Sequence, residues 1–348
     1  MGSEMCIRDR HKCLIDTFDR NFEFSVEHVA LAKAADVVMI APASANVIGK
    51  IANGIADDML TTTVMACPCK KIVSPAMNHN MFHNPIVQDN IEKLKHYGYE
   101  IVEPAHGMLA NGDMGDGRMP DEELLFEYIV KEIAFEKDMT GKKVLVTAGA
   151  TVEAIDPVRF ITNHSSGKMG FALAKNAMLR GADVTLVMGK CDSEPPVFVN
   201  TVKVQSAKDM YDAVIERADS MDIIVKAAAV ADYRPKNVSS EKVKKQDGNM
   251  SIELERTDDI LKTLGERKNG QFICGFSMET ENMLENSRKK LEKKNCDMIV
   301  ANNLKQDGAG FGGNTNIVTL ITKDDEVQLE KMTKDEVAEK IFDFILSR

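Results

Sequence analysis

The stretch K-K-V-L-V-T-A (142–148) leads through a short connection into N-H-S-S-G-K-M-G-F-A-L-A-K-N-A-M-L-R-G (163–181). An apolar run rich in β-branched residues and ending in small ones reads as a buried strand, and the second segment reads as a loop opening into a helix. Working outward, similar strand runs recur at 183–188, 222–228, 272–276, 297–301 and 317–322, with helical patterns in the gaps. Toward the N-terminus the same alternation appears at 36–42, 71–76 and 100–104. Such alternation predicts α/β architecture with mostly parallel sheets, and 348 residues are enough for two domains, each a doubly wound three-layer unit. A helix over 122–135 and the polar segment 136–142, with Gly141, put the boundary near 138, giving domains over 11–137 and 138–348. The first ten residues, M-G-S-E-M-C-I-R-D-R, lack a signal peptide's apolar region and read as a non-native scar.

Composition narrows the function classes. Apolar residues make up 44% and charged residues 28%, and no run holds the roughly 18 apolar residues of a membrane span, so no membrane association is expected. A net charge of -10 argues against nucleic acid as a partner and leaves room only for local anion sites. Seven cysteines, without the spacing of a disulfide framework, suit a reducing cytoplasm. Cys67 and Cys69 form C-P-C rather than C-x-x-C. His79 and His83 stand i, i+4 in H-N-M-F-H, but Pro85 would cut short a helix there and no H-E-x-x-H is present, so a zinc site is not expected from this spacing.

Several positions in the second half carry chemistry. Ser165, Ser166 and Gly167 open a helix, where free amides and the helix dipole favour a phosphate or carboxylate, with Lys168 adding charge; an ordinary capped helix is the plain alternative. Neither G-x-G-x-x-G nor G-x-x-x-x-G-K-[ST] occurs, which removes the fingerprint of a dehydrogenase-type nucleotide binder. Asp232, after the small residues 227–231, falls on the rim where open α/β sheets bind ligands, unless it is a turn aspartate. T-D-D at 257–259 suits a helix N-cap. Lys290 and Lys294 lie one turn apart on a helix, a pattern that by itself usually marks a solvated face.

The segments D-P-V-R-F-I-T-N-H-S-S-G-K-M-G-F (156–171), A-A-V-A-D-Y-R (228–234), G-F-S-M-E-T (275–280) and G-F-G-G-N (310–314) resemble the ligase half of the bacterial bifunctional phosphopantothenoylcysteine decarboxylase/phosphopantothenate–cysteine ligases of coenzyme A synthesis. The resemblance implies Rossmann-like domains and a reaction in which 4'-phosphopantothenate attacks the α-phosphate of CTP, with Mg2+ assisting, before the amine of L-cysteine displaces CMP. It assigns Asn163 to the acyl-cytidylate, Asp232 and Lys242 to the nucleotide, Asp258, Asp259, Ile260, Leu261 and Phe276 to the cytosine end, and Lys290 and Lys294 to the phosphates.

In the first half, S-V-E-H-V-A-L-A-K-A-A-D-V-V-M-I-A-P-A-S-A-N (25–46), P-A-M-N (75–78) and G-D-M-G-D-G-R-M (112–119) are similar to the FMN-dependent decarboxylase half of the same family. That likeness makes His28 the catalytic histidine, Ser44, Ala45, Asn46 and Ala76 flavin contacts, and Asn78 the holder of the substrate carboxylate. Imidazole suits the role because it exchanges protons near neutral pH. Two departures stand out. The sequence reaches the histidine motif by residue 28, so the family's opening strand–helix units are not seen, and Asn111 occupies the place of the family's acidic cysteine in A-C-G-D. An amide cannot donate a proton as a thiol can. The expectation is therefore a working ligase beside a domain that neither retains FMN nor decarboxylates, or that serves as an assembly module. Homo-oligomers are implied as well: a dimer through the ligase, a trimer through the decarboxylase.

Overall fold

The computed structural model describes residue 14 and residues 27–109, 112–244, 250–279, 282–303 and 313–348. The chain forms two compact units that meet between Phe135 and Glu136. Among the described residues no helix is long and apolar enough to cross a membrane.

In chain order the first unit contains α1 (Glu27–Ala34), β1 (Val37–Ala43), α2 (Ala45–Ala52), α3 (Met59–Ala66), β2 (Lys70–Pro75), α4 (His79–Phe82), α5 (Pro85–His96), β3 (Glu100–Ile101), β4 (Ala105–Met108), β5 (Met114–Arg118) and α6 (Glu122–Ile133). β1, β2 and β3 form a parallel sheet in that order, and β4 and β5 pair as an antiparallel hairpin. Alternate strand residues serve opposite faces. Ile40 and Val73 join Ile48, Ile51, Val64, Ile91 and Leu94 from α2, α3 and α5, whereas Ile72 packs with Leu125 of α6. Helices start where the sequence offers a cap: Ser44 accepts from the Val47 amide, and Asp58 and Thr61 form a reciprocal capping box.

The second unit runs β6 (Lys143–Ala148), β7 (Val152–Ala154), β8 (Phe160–Thr162), α7 (Lys168–Leu179), β9 (Asp183–Met188), β10 (Asn200–Lys203), α8 (Ala207–Ala218), β11 (Ile223–Lys226), β12 (Tyr233–Pro235), β13 (Leu254–Arg256), α9 (Ile260–Arg267), β14 (Phe272–Glu279), α10 (Met283–Lys293), β15 (Met298–Asn303), β16 (Thr315–Asn316), β17 (Val318–Ile321), β18 (Glu326–Gln328), β19 (Met332–Thr333) and α11 (Lys334–Leu346). Its sheet has the order β10-β9-β6-β11-β14-β15-β17-β18. The first six strands are parallel; β17 runs antiparallel to β15, and β18, at the edge, runs antiparallel to β17.

Leu145, Val187, Ile224, Ile273 and Ile299 point to one face, where Met210 and Val214 of α8, Leu261 and Leu264 of α9 and Leu291 of α10 bury against them. Each such aliphatic side chain contributes about 1.5–3 kcal/mol when fully buried. Strand residues of the other parity face α7, which packs on β6 and carries α11 on its side. The strand order reverses between β6 and β11, so their C-terminal ends leave a crevice in which doubly wound sheets bind ligands.

Candidate active site

That crevice is a two-lobed cleft. One lobe, of about 620 Å³, is bordered by Asp258, Asp259, Ile260, Leu261, Tyr233, Lys289, Lys293 and Lys294. The other, of about 480 Å³, is bordered by Asn163, Ser165, Ser166, Gly167, Phe276 and Lys334. Lys226, Val230, Asp232 and Lys290 line both.

The segment after β11 is fixed by side chains that meet its backbone. The Ala228 amide donates to Thr147 Oγ1 at 3.1 Å and the Ala231 amide to Thr151 Oγ1 at 3.0 Å, while Thr257 Oγ1 donates to the Ala231 carbonyl at 2.6 Å. These bonds hold exposed Asp232 at the rim. Asn163 reaches the same segment, its amide nitrogen 3.2 Å from the Val230 carbonyl and 3.4 Å from that of Ala229. α7 begins at Gly167 (φ 79°) with no side-chain cap, so its first-turn amides meet the second lobe without a competing cap.

Lys290 and Lys294 sit at the end of α10 and its C-cap. Lys290 Nζ donates to the Phe276 carbonyl at 2.8 Å, and Lys294 pairs with Asp259, the N-cap of α9. Burial, the largest single influence, opposes ionisation of Asp259, but the bond from Lys294, the Lys262 amide and the charges of Lys294 and Lys226 together hold the carboxyl below its ordinary value. Close approach of α9 to the turn after α10 sets this pair: a Cβ on Gly265 would overlap the Lys294 carbonyl, and Asn295 Nδ2 donates to the Gly265 carbonyl at 2.9 Å. Gly265→Ala is therefore expected to cost about 1–3 kcal/mol by overpacking. Denaturant titration checks it, and an unchanged midpoint would mean that the two turns part freely.

Lys226 is the residue that the sequence reading passed over. It ends β11, half-buried between the lobes. Burial, then the neighbouring Lys290, push its ammonium down to about 8, against the opposing pull of Asp259 and Asp232. The available signal was one lysine closing a wholly apolar run in a parallel strand, a position where a charge is tolerated only at a rim.

Not every expected residue joins this cleft. Lys242 is exposed and borders neither lobe; its loop is anchored instead by the Val243 amide on Asp156 and by Arg159 on the Val243 carbonyl. Phe276 borders the lobe of Asn163 rather than that of residues 258–261. Lys289, although it borders the lobe of residues 258–261, is tied to Glu285 at 2.6 Å.

In the first unit Ser44, Ala45 and Asn46 follow β1 and Ala76 follows the neighbouring β2, with the Ala76 amide bonded to the Ala43 carbonyl at 2.9 Å. Exposed Ser44 and Asn46 and the small Ala45 and Ala76 thus gather at the C-terminal ends of two parallel strands, a fit for part of a planar, polar-edged cofactor. Asn78 caps α4, accepting from the Asn80 amide at 2.9 Å. His28 lies half-exposed in the first turn of α1. Asn111 falls outside the described residues.

Residues 139–348 match the family described as the DNA/pantothenate metabolism flavoprotein C-terminal domain, and residues 4–134 match the flavoprotein family. The coenzyme A biosynthesis bifunctional protein CoaBC of Bacillus subtilis (strain 168) is 49% identical over 318 residues, covering 90% of this chain and 78% of that one. The chain belongs to the CoaBC family. A cysteine/cysteine sulfinic acid decarboxylase from an unknown prokaryotic organism is also 42% identical, over 97% of this chain and 96% of its own length. Among solved structures, the C-terminal domain of a CoaBC protein shares 48% identity at a TM-score of 0.53, covering 61% of this chain and 97% of that domain. CoaBC proteins are bifunctional, which accords with two α/β units, each with its own strand-end site.

Proposed function

We propose that the chain serves coenzyme A biosynthesis, its second unit joining 4'-phosphopantothenate to L-cysteine at the expense of CTP and its first decarboxylating the product with FMN; this departs from the sequence expectation of a first domain without FMN or activity, and the flavoprotein-family match over residues 4–134 supports the departure. One observation carries the ligase reading: two lobes share Lys226, Lys290 and Asp232 at the switch point of a doubly wound sheet. Activation of a carboxylate by a nucleotide requires two anions to meet. The lobe of residues 258–261 suits the nucleotide, and the lobe at the start of α7, with Lys334, suits the phosphorylated acid. The reacting carboxylate and α-phosphate then meet over Lys226 and Lys290.

A carboxylate oxygen forms a bond to the α-phosphorus while the bond to pyrophosphate breaks; the cysteine amine next attacks the acyl carbon and CMP leaves. Lys290, oriented by the Phe276 carbonyl, and half-buried Lys226 face the charge that develops on the α-phosphate. Asn163 offers an amide to the acyl-cytidylate. Among the described residues no group of three metal-ligating side chains lines the cleft. Asp232 or Asp258 would share a Mg2+ with the phosphates, as this ion favours one or two carboxylates plus substrate oxygens. The ion would supply further charge neutralisation.

Asn163→Asp is expected to slow the cysteine step, since a carboxylate in place of the amide repels the cytidylate phosphate. Quenched reactions with radiolabelled CTP should show the intermediate accumulating; normal turnover without accumulation would refute the role.

For the first unit, His28 is the proton carrier, Asn78 the anchor of the substrate carboxylate, and Ser44, Ala45, Asn46 and Ala76 the contacts to FMN, which when bound supplies the oxidation and return reduction of the cysteinyl carbons. The relative named as a cysteine decarboxylase makes free cysteine the competing substrate. Release of CO2 from 4'-phosphopantothenoylcysteine but not from cysteine supports the proposed reading; the reverse preference contradicts it.

A further inference from the structure

Three histidines converge on one carboxylate in the first unit, outside every residue given a role above. His79 opens α4 and His83 caps its C-terminus, so the two rings meet edge to face at 4.4 Å between centroids. α4 does stop at Phe82, ahead of the new helix at Pro85, as expected for this spacing. The third group comes from far along the chain. β5 brings Asp116 over α4, with its amide 3.2 Å from His79 Nδ1 and the Met77 amide bonded to the Gly117 carbonyl at 2.9 Å. Gly115 permits that approach, since a Cβ there would lie 2.9 Å from the His79 ring.

We propose that His79, His83 and Asp116 bind a divalent transition-metal ion of the zinc class, with His106 orienting the carboxylate. His83 Nε2 lies 2.9 Å and His79 Nδ1 3.9 Å from the same oxygen, Asp116 Oδ2. The donor atoms of the three residues all fall within 4.8 Å of one another. Ligands of a tetrahedral zinc with bonds of 2.0–2.2 Å stand roughly 3.3 Å apart, between the two observed separations. The other oxygen, Oδ1, is held by His106 Nδ1 at 2.9 Å, the outer contact that fixes a ligating carboxylate. The side chains are between 37% and 67% exposed, so an ion reaches them without unfolding. Two imidazoles and one carboxylate favour zinc over magnesium or calcium and leave a fourth position for water. A bound ion would fasten β5 to the residue that follows Asn78.

The test uses the full chain, free of any affinity tag and stripped with chelator, titrated calorimetrically with Zn2+ alone. One equivalent should bind at micromolar metal. Asp116→Asn and His83→Gln should each weaken binding at least about 100-fold, and His106→Gln about 10- to 100-fold, with circular dichroism unchanged. Co2+ should give visible d–d bands without the near-ultraviolet charge transfer of a thiolate. Binding that is absent, binding insensitive to Asp116→Asn and His83→Gln, or a thiolate signature placing the ion on Cys67 or Cys69 would overturn the proposal.

Discussion

Lys290→Ala is expected to slow formation of the acyl-cytidylate by about 10- to 1000-fold while the fold persists. The half-buried ammonium borders both lobes and is aimed by the Phe276 carbonyl, so its charge acts where the two anions meet. Removing it also frees Lys226 from a like charge, which lets Lys226 hold its own proton more firmly. Part of the loss is thereby offset, and the double variant with Lys226→Met should lose more than the single effects multiplied. Lys289→Ala is the matched comparison: this exposed lysine pairs with Glu285 within its own helix and should change the rate little. Equal pyrophosphate release by Lys290→Ala and the unaltered chain would refute the assignment.

Lys226→Met is expected to make the protein slower and more stable. The folded pKa of about 8 lies below the ordinary 10.5, so the fold disfavours the charged form. Between pH 8 and 10.5 the unfolded chain binds more protons than the folded one, and stability rises with pH across that window. Below about 8 the full cost is present, and methionine, of similar length and uncharged, should relieve on the order of 1–3 kcal/mol of it at neutral pH. The same change removes a cation from the meeting point of the substrates and should lower kcat/KM about 10- to 100-fold. In the unaltered chain kcat/KM should fall as pH rises through about 8, a limb that Lys226→Met should lack. A variant as fast as the parent, with the same pH profile and no gain in stability, would show that Lys226 is a bystander.

The parallel strands were legible because buried parallel strands are written as continuous apolar runs, and five of the nine runs read from the sequence match a strand within one residue at both ends. The exceptions are instructive. The run 222–228 ends early, at Lys226, because the backbone turns there to bond with Thr147 and Thr151, contacts about 80 residues away that no local pattern reveals. The run 100–104 pairs only through Ile101. The antiparallel turn of β17 into β18 was hidden as well, for strand direction is set by the Thr322–Asp325 turn rather than by composition. The hairpin of β4 and β5 was not foreseen at all. A-H-G-M and M-G-D-G-R lack apolar alternation, and their pairing is what carries Asp116 to His79 and His83. Within the cleft, the cap at Asp259 and the one-turn spacing of Lys290 and Lys294 could be read locally, whereas the junction of the two lobes depends on strand order.

The most direct test of the central claim is pyrophosphate release by the intact chain given 4'-phosphopantothenate and Mg2+, with CTP or ATP and before any cysteine is added. The account predicts release that requires both CTP and the acid, followed by CMP on addition of cysteine. A folded chain that releases no pyrophosphate above the blank with either nucleotide would contradict it.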